Sequence, residues 1–449
     1  MGKNKEAIYD ARELGVGKMF VLGIQHMFAM FGATVLVPLI TGLDVASTLL
    51  FAGLGTLLFH LITGGKVPAF LGSSFAFLGG YAAIKTLCEN NGYDNFSAYA
   101  GVGVACAGLV YLILALMFKI FGAQKVMRFF PPIVTGPIII AIGLTLSSSA
   151  ITNCNENWWI ALVAIAVIIV CNIWGKGMIK IIPILMGVIV SYIVALIVKD
   201  VDFTIVKEAD WFGLPVVWDH TALSLIGKGD TDISLIITSI ITIMPIALAT
   251  MIEHIGDICA ISSTVGKNFI EKPGLHRTLM GDGLATAMAA IFGAPANTTY
   301  GENTGVLALS KVYDPRVIRL AAIFAALLSF SPKFAALINS MPKSVVGGVS
   351  LVLYGMISAV GVRNVVENKV DFTKSRNVII AALILVLSIG INYSEAGAVV
   401  FHVGEATISL SGLAVAAIVG IVLNAVLPGK DYEFGKDLQG DTAVDFELR

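Results

Sequence analysis

Charge is scarce in this chain. Asp, Glu, Lys and Arg make up 13% of its 449 residues, about half the share of a soluble globular domain, while 57% are apolar and mean hydropathy is +0.88. That shortage excludes an ordinary soluble domain and leaves a polytopic membrane protein whose first partner is the lipid bilayer. Basic residues form no patch and the formal net charge is -1, so nothing points to nucleic acid. Five cysteines (Cys88, Cys106, Cys154, Cys171, Cys259) make no CxxC or Cys/His cluster. They read as small core residues, and neither a metal nor another cofactor is expected. The motifs GxxxxGK[ST], GxSxG and HExxH are all absent, so an enzyme is not expected and a nucleotide-driven pump is disfavoured. The first 18 residues lack the apolar run and small-residue cleavage site of a signal peptide, and they read as a cytoplasmic lead-in.

What is abundant is hydrocarbon-loving sequence. At about 20 apolar residues per spanning helix, spans are expected near 19–41, 46–64, 68–87, 98–122, 131–150, 157–175, 180–199, 233–260, 277–293, 299–311, 316–338, 343–361, 376–393 and 407–427. With the N-terminus inside, the inner segments hold 23 of the 29 Lys and Arg, a positive-inside pattern that places both termini in the cytoplasm. The acidic outer connection 200–232, with Asp200, Asp202, Glu208, Asp210, Asp219, Asp230 and Asp232, divides the spans into two sets of seven (19–199 and 233–427), and the tail 428–449 follows. Sets with an odd number of spans share a fold only if one is inverted in the membrane. Pro68-Ala69 before Ser73-Ser74-Phe75 matches Pro295-Ala296 before Thr298-Thr299-Tyr300, and Pro131 with Gly136 matches Pro342 with Gly347. These echoes point to an inverted-repeat transporter whose site lies where its two broken segments meet.

Polar residues inside the apolar runs mark that site. In 295–305 (Pro-Ala-Asn-Thr-Thr-Tyr-Gly-Glu-Asn-Thr-Gly) the carboxylate Glu302 sits among helix-breaking residues, and such backbone is tolerated at membrane depth only where protein or a watery cavity satisfies it. Segments 72–78 and 297–302 read as short extended pieces leading into half-helices, whose N-terminal N–H groups would face a midplane ligand. In the eighth expected span Glu253 and Asp257 are one turn apart on one face, with His254 roughly 100° round the helix. Two buried carboxylates so close disfavour double ionisation, which suits them to hold one coupling proton. Simple kinked helices, or Glu253 pairing with His254 or a neighbouring span as structural glue, are the plainer alternatives, and His26 reads equally as a site residue or a satisfied core histidine.

These residues resemble the nucleobase–ascorbate transporters, or nucleobase:cation symporters of the second type, and within that family the uracil-permease branch. The stretch Glu302-Asn303-Thr304-Gly305 through Ser310-Lys311 follows the signature [QEP]-N-x-G-x-x-x-x-T-[RKG], with Ser310 in place of Thr. Gln25-His26 through Thr34, Pro68 through Phe77, Pro273 through Arg277, and Asn297 through Asn303 match as well. The resemblance implies an all-α protein of fourteen spans in two inverted sets, with short β-strands in spans three and ten, and a core domain (spans 1–4 and 8–11) moving against a gate domain (5–7 and 12–14). It implies proton symport of uracil across the cell membrane, with no cofactor beyond the coupling proton. Glu253 and Glu302 are then the main substrate ligands, with Phe75, Gly301, Tyr300, Ser74, Asn303 and His26 around them and Glu253 and Asp257 handling the proton. Some members carry His where this chain has Asp257. A homodimer is compatible with this reading. The competing readings are a purine or xanthine symporter, an anion carrier of the same architecture, and a channel or receptor on the same scaffold.

Overall fold

The computed structural model describes residues 7–227, 231–403, 406–430 and 432; the side chains of residues 178, 181, 302, 309 and 401–409 lie outside that description. Numbered in chain order, helices α1 (Val16–Thr41) and α2 (Val45–Ile62) precede strand β1 (Leu71–Ser73), helix α3 (Leu78–Asn90) and α4 (Phe96–Phe121). Helices α5 (Pro132–Cys154), α6 (Trp158–Ile173) and α7 (Pro183–Ile197) lead to the acidic connection. Then come α8 (Ile233–Ile243), α9 (Ala247–Val265), α10 (Leu275–Ile291), β2 (Asn297–Thr299), α11 (Gly301–Ser310), α12 (Pro315–Leu328) and α13 (Pro332–Asn339). Helices α14 (Lys343–Glu367) and α15 (Ser375–Asn392), the hairpin β3 (Ala398–Val403) with β4 (Ala406–Ser411), and α16 (Gly412–Val426) complete the chain. Among the described residues seven helical segments are long and apolar enough to cross a bilayer, or eight when α12 and α13 are taken as one bent span.

Three local features depart from the expected spans, each for a visible reason. The span expected at 316–338 is two helices meeting at 88°, because Ser331 caps α13 through Phe334 N and Pro332 occupies its first turn. The span at 233–260 breaks into α8 and α9 across Met244–Ile246, where Pro245 withholds a backbone donor. The stretch 394–406, which lies between the expected spans 376–393 and 407–427, contributes to the β3–β4 hairpin, in which Val399 pairs with Leu410 and Val400 with Ser409. Val399 and Val400 are residues that favour a pleated strand over a coil.

The helices gather into two groups. In one, α10 packs against α4 and α2, α12 against α2 and α1, and α8 against α4; in the other, α14 lies along α5, α6 contacts α7 and α14, and α15 contacts α16 and α5. Small residues allow the closest approaches. A Cβ at Gly143 would fall 2.2 Å from Tyr354 O across the α5–α14 seam, and one at Gly108 would fall 2.5 Å from Gly283 O across the α4–α10 seam. Lipid tails are as apolar as leucine, so helices in a bilayer adhere through such backbone contact rather than through hydrophobic burial.

Residues 7–15 are docked rather than trailing. Ile8 N donates to Lys311 O, Tyr313 N to Ile8 O and Tyr9 Oη to Val265 O, all at 2.8 Å. Asp314 caps α12 through Arg316 N and accepts from Ala11 N at 2.7 Å, while Arg316 Nη1 reaches Asp10 Oδ1. Asp314→Ala should cost about 0.5–2 kcal/mol, as loss of a helix cap does, and should expose residues 7–15 to protease. A wild-type digestion pattern would mean the segment is held by other contacts.

Candidate functional site

Pro68 and Pro295 keep the chain extended ahead of β1 and β2, and the two strands pair antiparallel with Leu71 opposite Thr299, Gly72 opposite Thr298 and Ser73 opposite Asn297. Ser74 N to Ala296 O at 2.8 Å and Tyr300 N to Phe70 O at 3.0 Å extend the ladder. Two three-residue strands are too short to hold themselves together, and surrounding helices supply the rest. Thr56 Oγ1 accepts from Leu71 N, Ser73 Oγ donates to Thr34 O, Thr286 Oγ1 donates to Asn297 O, and Asn297 Nδ2 donates to Phe51 O. Ala296 N donates to the hydroxyl of Tyr81, and the Tyr300 hydroxyl donates to Ser73 O at 2.8 Å. Non-helical backbone is thereby satisfied inside apolar surroundings. Gly72 admits the Tyr300 ring, since a Cβ there would fall 2.5 Å from Tyr300 Cε2 and 2.7 Å from Thr34 Oγ1. Gly72→Ala should therefore lower thermal stability by about 1–3 kcal/mol, the usual range for overpacking, and weaken solute binding; unchanged melting and binding would contradict the packing described.

From the pair the chain departs into two half-helices. Phe75–Phe77 forms a 3-10 turn into α3, and α11 begins at Gly301, with no side-chain cap at either N-terminus. The first-turn N–H groups and the positive dipole ends thus remain available to an acceptor. Phe75 is buried and meets Tyr354 of α14 edge-on at 5.7 Å between ring centroids. With Ala76 it faces a small cavity whose far wall is Ile142, Thr145 and Leu146 of α5. Ser74 is buried, and its hydroxyl has no hydrogen-bond partner among the described residues. Gly301 is exposed, and Glu302 is the second residue of α11, its side chain lying outside the described residues.

Helix α9 brings its polar face to this junction. Glu253 and Asp257 are half-buried, Asp257 accepts from Thr299 Oγ1 at 2.9 Å, and its Oδ1 would lie 3.5 Å from a Cβ at Gly301. His254 is fully buried, its Nδ1 is 3.0 Å from Asp282 Oδ2, and neither side chain is exposed at all. His26 of α1 is also fully buried: Asn303 Nδ2 donates to His26 O at 3.2 Å and lies 3.3 Å from its Nδ1, so this contact ties α11 to α1. Tyr300 and Asn303 thus point into protein, whereas Gly301, Glu253 and Asp257 border accessible space. Asp282 and Thr299 were not among the residues expected at the site. Asp282 does carry a signal, a lone carboxylate between Gly281 and Gly283 inside the ninth apolar run; Thr299 carries none beyond its place in a Thr-Thr pair.

A family model described as "Permease family" (Xan_ur_permease) matches residues 17–397. The chain belongs to that family, the nucleobase:cation symporters of the second type. It is similar to the uracil permease of Bacillus caldolyticus, 42% identical over 424 residues covering 92% of this chain and 93% of the relative. It is likewise similar to the uracil permease of Bacillus subtilis (strain 168), 40% identical over 433 residues and covering 94% of each chain. The uracil permease of Escherichia coli (strain K12) is 38% identical over 416 residues, covering 90% of each. The fold is similar to that of the transmembrane domain of a cyanobacterium bicarbonate transporter, BicA, at a TM-score of 0.63 and 15% identity over 93% of this chain and 99% of that one. SLC26A9 gives the same TM-score at 13% identity, over 93% of this chain and 66% of that one. The permease is therefore a multi-pass membrane protein with a fold shared by these transporters.

Proposed function

We propose that this permease imports uracil by proton symport, through alternating access in which one helical group carries the site past the other. The observation that carries the reading is the meeting of the paired strands, the two uncapped half-helix N-termini and the Glu253–Asp257 face at one accessible junction. Uracil presents two N–H donors and two carbonyl acceptors around a flat ring. Glu253 and Glu302 accept from the N–H groups, backbone N–H groups near Phe75 and Gly301 donate to the carbonyls, and an aromatic face covers the ring. Names of relatives at about 40% identity support uracil as the solute.

In this reading the seven long apolar segments, the bent pair α12–α13, helix α10, the shorter apolar helices α6, α7 and α16 and the two strand–helix segments make fourteen spans in two inverted sets. The group containing α1–α4 and α8–α13 is the moving core, and α5–α7 with α14–α16 is the gate. Both termini lie in the cytoplasm, the protein sits in the cell membrane, and two copies pair as a homodimer. Glu253 and Asp257 share the coupling proton, picked up outside and released inside.

Competition of labelled uracil uptake by unlabelled nucleobases in membrane vesicles tests the substrate. Uracil should compete at the lowest concentration, and stronger competition by xanthine or another purine would replace it. The transporters of similar fold whose names indicate anions suggest a second reading, that of an anion carrier. Two carboxylates at the junction would repel an anionic cargo, which disfavours it.

A further inference from the structure

Among the described residues, one polar chain joins the accessible junction to groups with no part in the proposed cycle. Thr299, the last residue of β2, is buried, and its hydroxyl lies between two bases. It donates to Asp257 Oδ2 at 2.9 Å, and His254 Nδ1 is 3.4 Å from Thr299 Oγ1. His254 Nδ1 is in turn 3.0 Å from Asp282 Oδ2 on α10. A hydroxyl has one proton and can donate to one base at a time. A buried carboxylate beside Nδ1 holds the imidazole proton on that nitrogen, as in triads where an acid fixes a histidine's tautomer. With its proton on Nδ1, His254 presents a donor to the Thr299 oxygen at 3.4 Å, while the Asp282 carboxylate lies beside that nitrogen at 3.0 Å without an aligned hydrogen bond. Its own proton is committed to Asp257.

We infer that Thr299 is a positioning residue for the coupling carboxylate: backed by His254 and Asp282, it offers Asp257 a fixed donor and so favours that carboxylate in its ionised, proton-accepting form. The inference rests on the proton-symport reading and adds the residues that, through Asp257, set the pH at which the Glu253–Asp257 pair takes its proton. Other groups face the same place. Glu253 lies one turn back on α9, and Phe59 of α2 meets His254 edge-on at 6.2 Å. Tyr111 of α4 packs where a Cβ on Gly283 would go and donates to Thr250 Oγ1 at 2.6 Å; α11 carries Glu302 in its first turn, its side chain outside the described residues. None of them offers Asp257 the same short hydroxyl contact among the hydrogen bonds described.

The test is the dependence of uracil uptake on external pH in the full-length protein reconstituted into proteoliposomes. Thr299→Val keeps the shape and removes the donor, so the ionised form of Asp257 loses a charge-assisted hydrogen bond. The pH midpoint of uptake should then move upward by roughly one unit. Thr299→Ser should retain the wild-type midpoint, and in an Asp257→Asn background Thr299→Val should cause no further change. Thr299→Ala serves as a second hydroxyl-free form, with recovery checked by size-exclusion chromatography. If neither is recovered folded, Asp282→Asn, which releases His254, should shift the midpoint in the same direction, and an unmoved midpoint there counts against the inference. A wild-type midpoint in a folded, hydroxyl-free variant overturns it while leaving proton symport standing. Wild-type uptake indifferent to pH would instead remove the symport reading and this inference with it.

Discussion

Glu302→Gln should weaken uracil binding at least tenfold. The substitution keeps the size of the side chain but turns an acceptor-only carboxylate into an amide that also donates, which mismatches a uracil N–H. Loss of a hydrogen bond to a charged group costs about 1.5–3 kcal/mol, and 1.4 kcal/mol is already a factor of ten. Position 302 is strict because α11 starts one residue earlier, at Gly301, and the next residue, Asn303, is fastened to His26. Equilibrium binding of labelled uracil to the purified variant reads the effect directly. Wild-type affinity and uptake would remove Glu302 from the site.

Glu253→Gln should abolish accumulation altogether. Glu253 is half-buried with Asp257 one turn further along α9; in this reading Glu253 carries the proton and Asp257 sets the pH at which it is taken, and an amide at 253 can neither take up nor release it. Without that proton a carrier can at best equilibrate its solute, so internal uracil should level off at the external concentration instead of exceeding it. Asp257→Asn should be milder: it shifts the pH dependence, because Asp257 is the partner held by Thr299, but leaves Glu253 in place. Concentrative uptake by Glu253→Gln would show that this residue is not the coupling group.

The broken segments were legible in the sequence because Pro, Gly, Asn and Thr are costly in a helix interior and conspicuous among Leu, Ile and Val. Pro295 through Gly305 therefore stood out, and the strand it contains is where the extended reading put it. The register with Leu71–Ser73 was not legible, since it follows from contacts such as Thr56 with Leu71 and Thr286 with Asn297, made by helices far away in the chain. The 88° bend at Ser331-Pro332 was hidden because α12 and α13 together satisfy a hydropathy window that averages over the break. The β3–β4 hairpin was hidden by its position, a short polar-flanked stretch between two strongly apolar helices. The helical face of Glu253 and Asp257 could be read from spacing alone. Asp282 could not be placed with them, because its link to His254 exists only once α10 has packed beside α9.

The central claim is that a proton gradient drives solute through the Glu253–Asp257 face. Its most direct test is labelled uracil uptake by the purified protein in proteoliposomes with imposed gradients, acid outside or sodium outside, each with and without a protonophore. An acid-outside gradient should drive uracil above its external concentration, a protonophore should collapse that accumulation, and a sodium gradient alone should drive none. Accumulation driven by sodium alone and indifferent to the pH gradient would contradict the proton assignment and give these carboxylates to another cation.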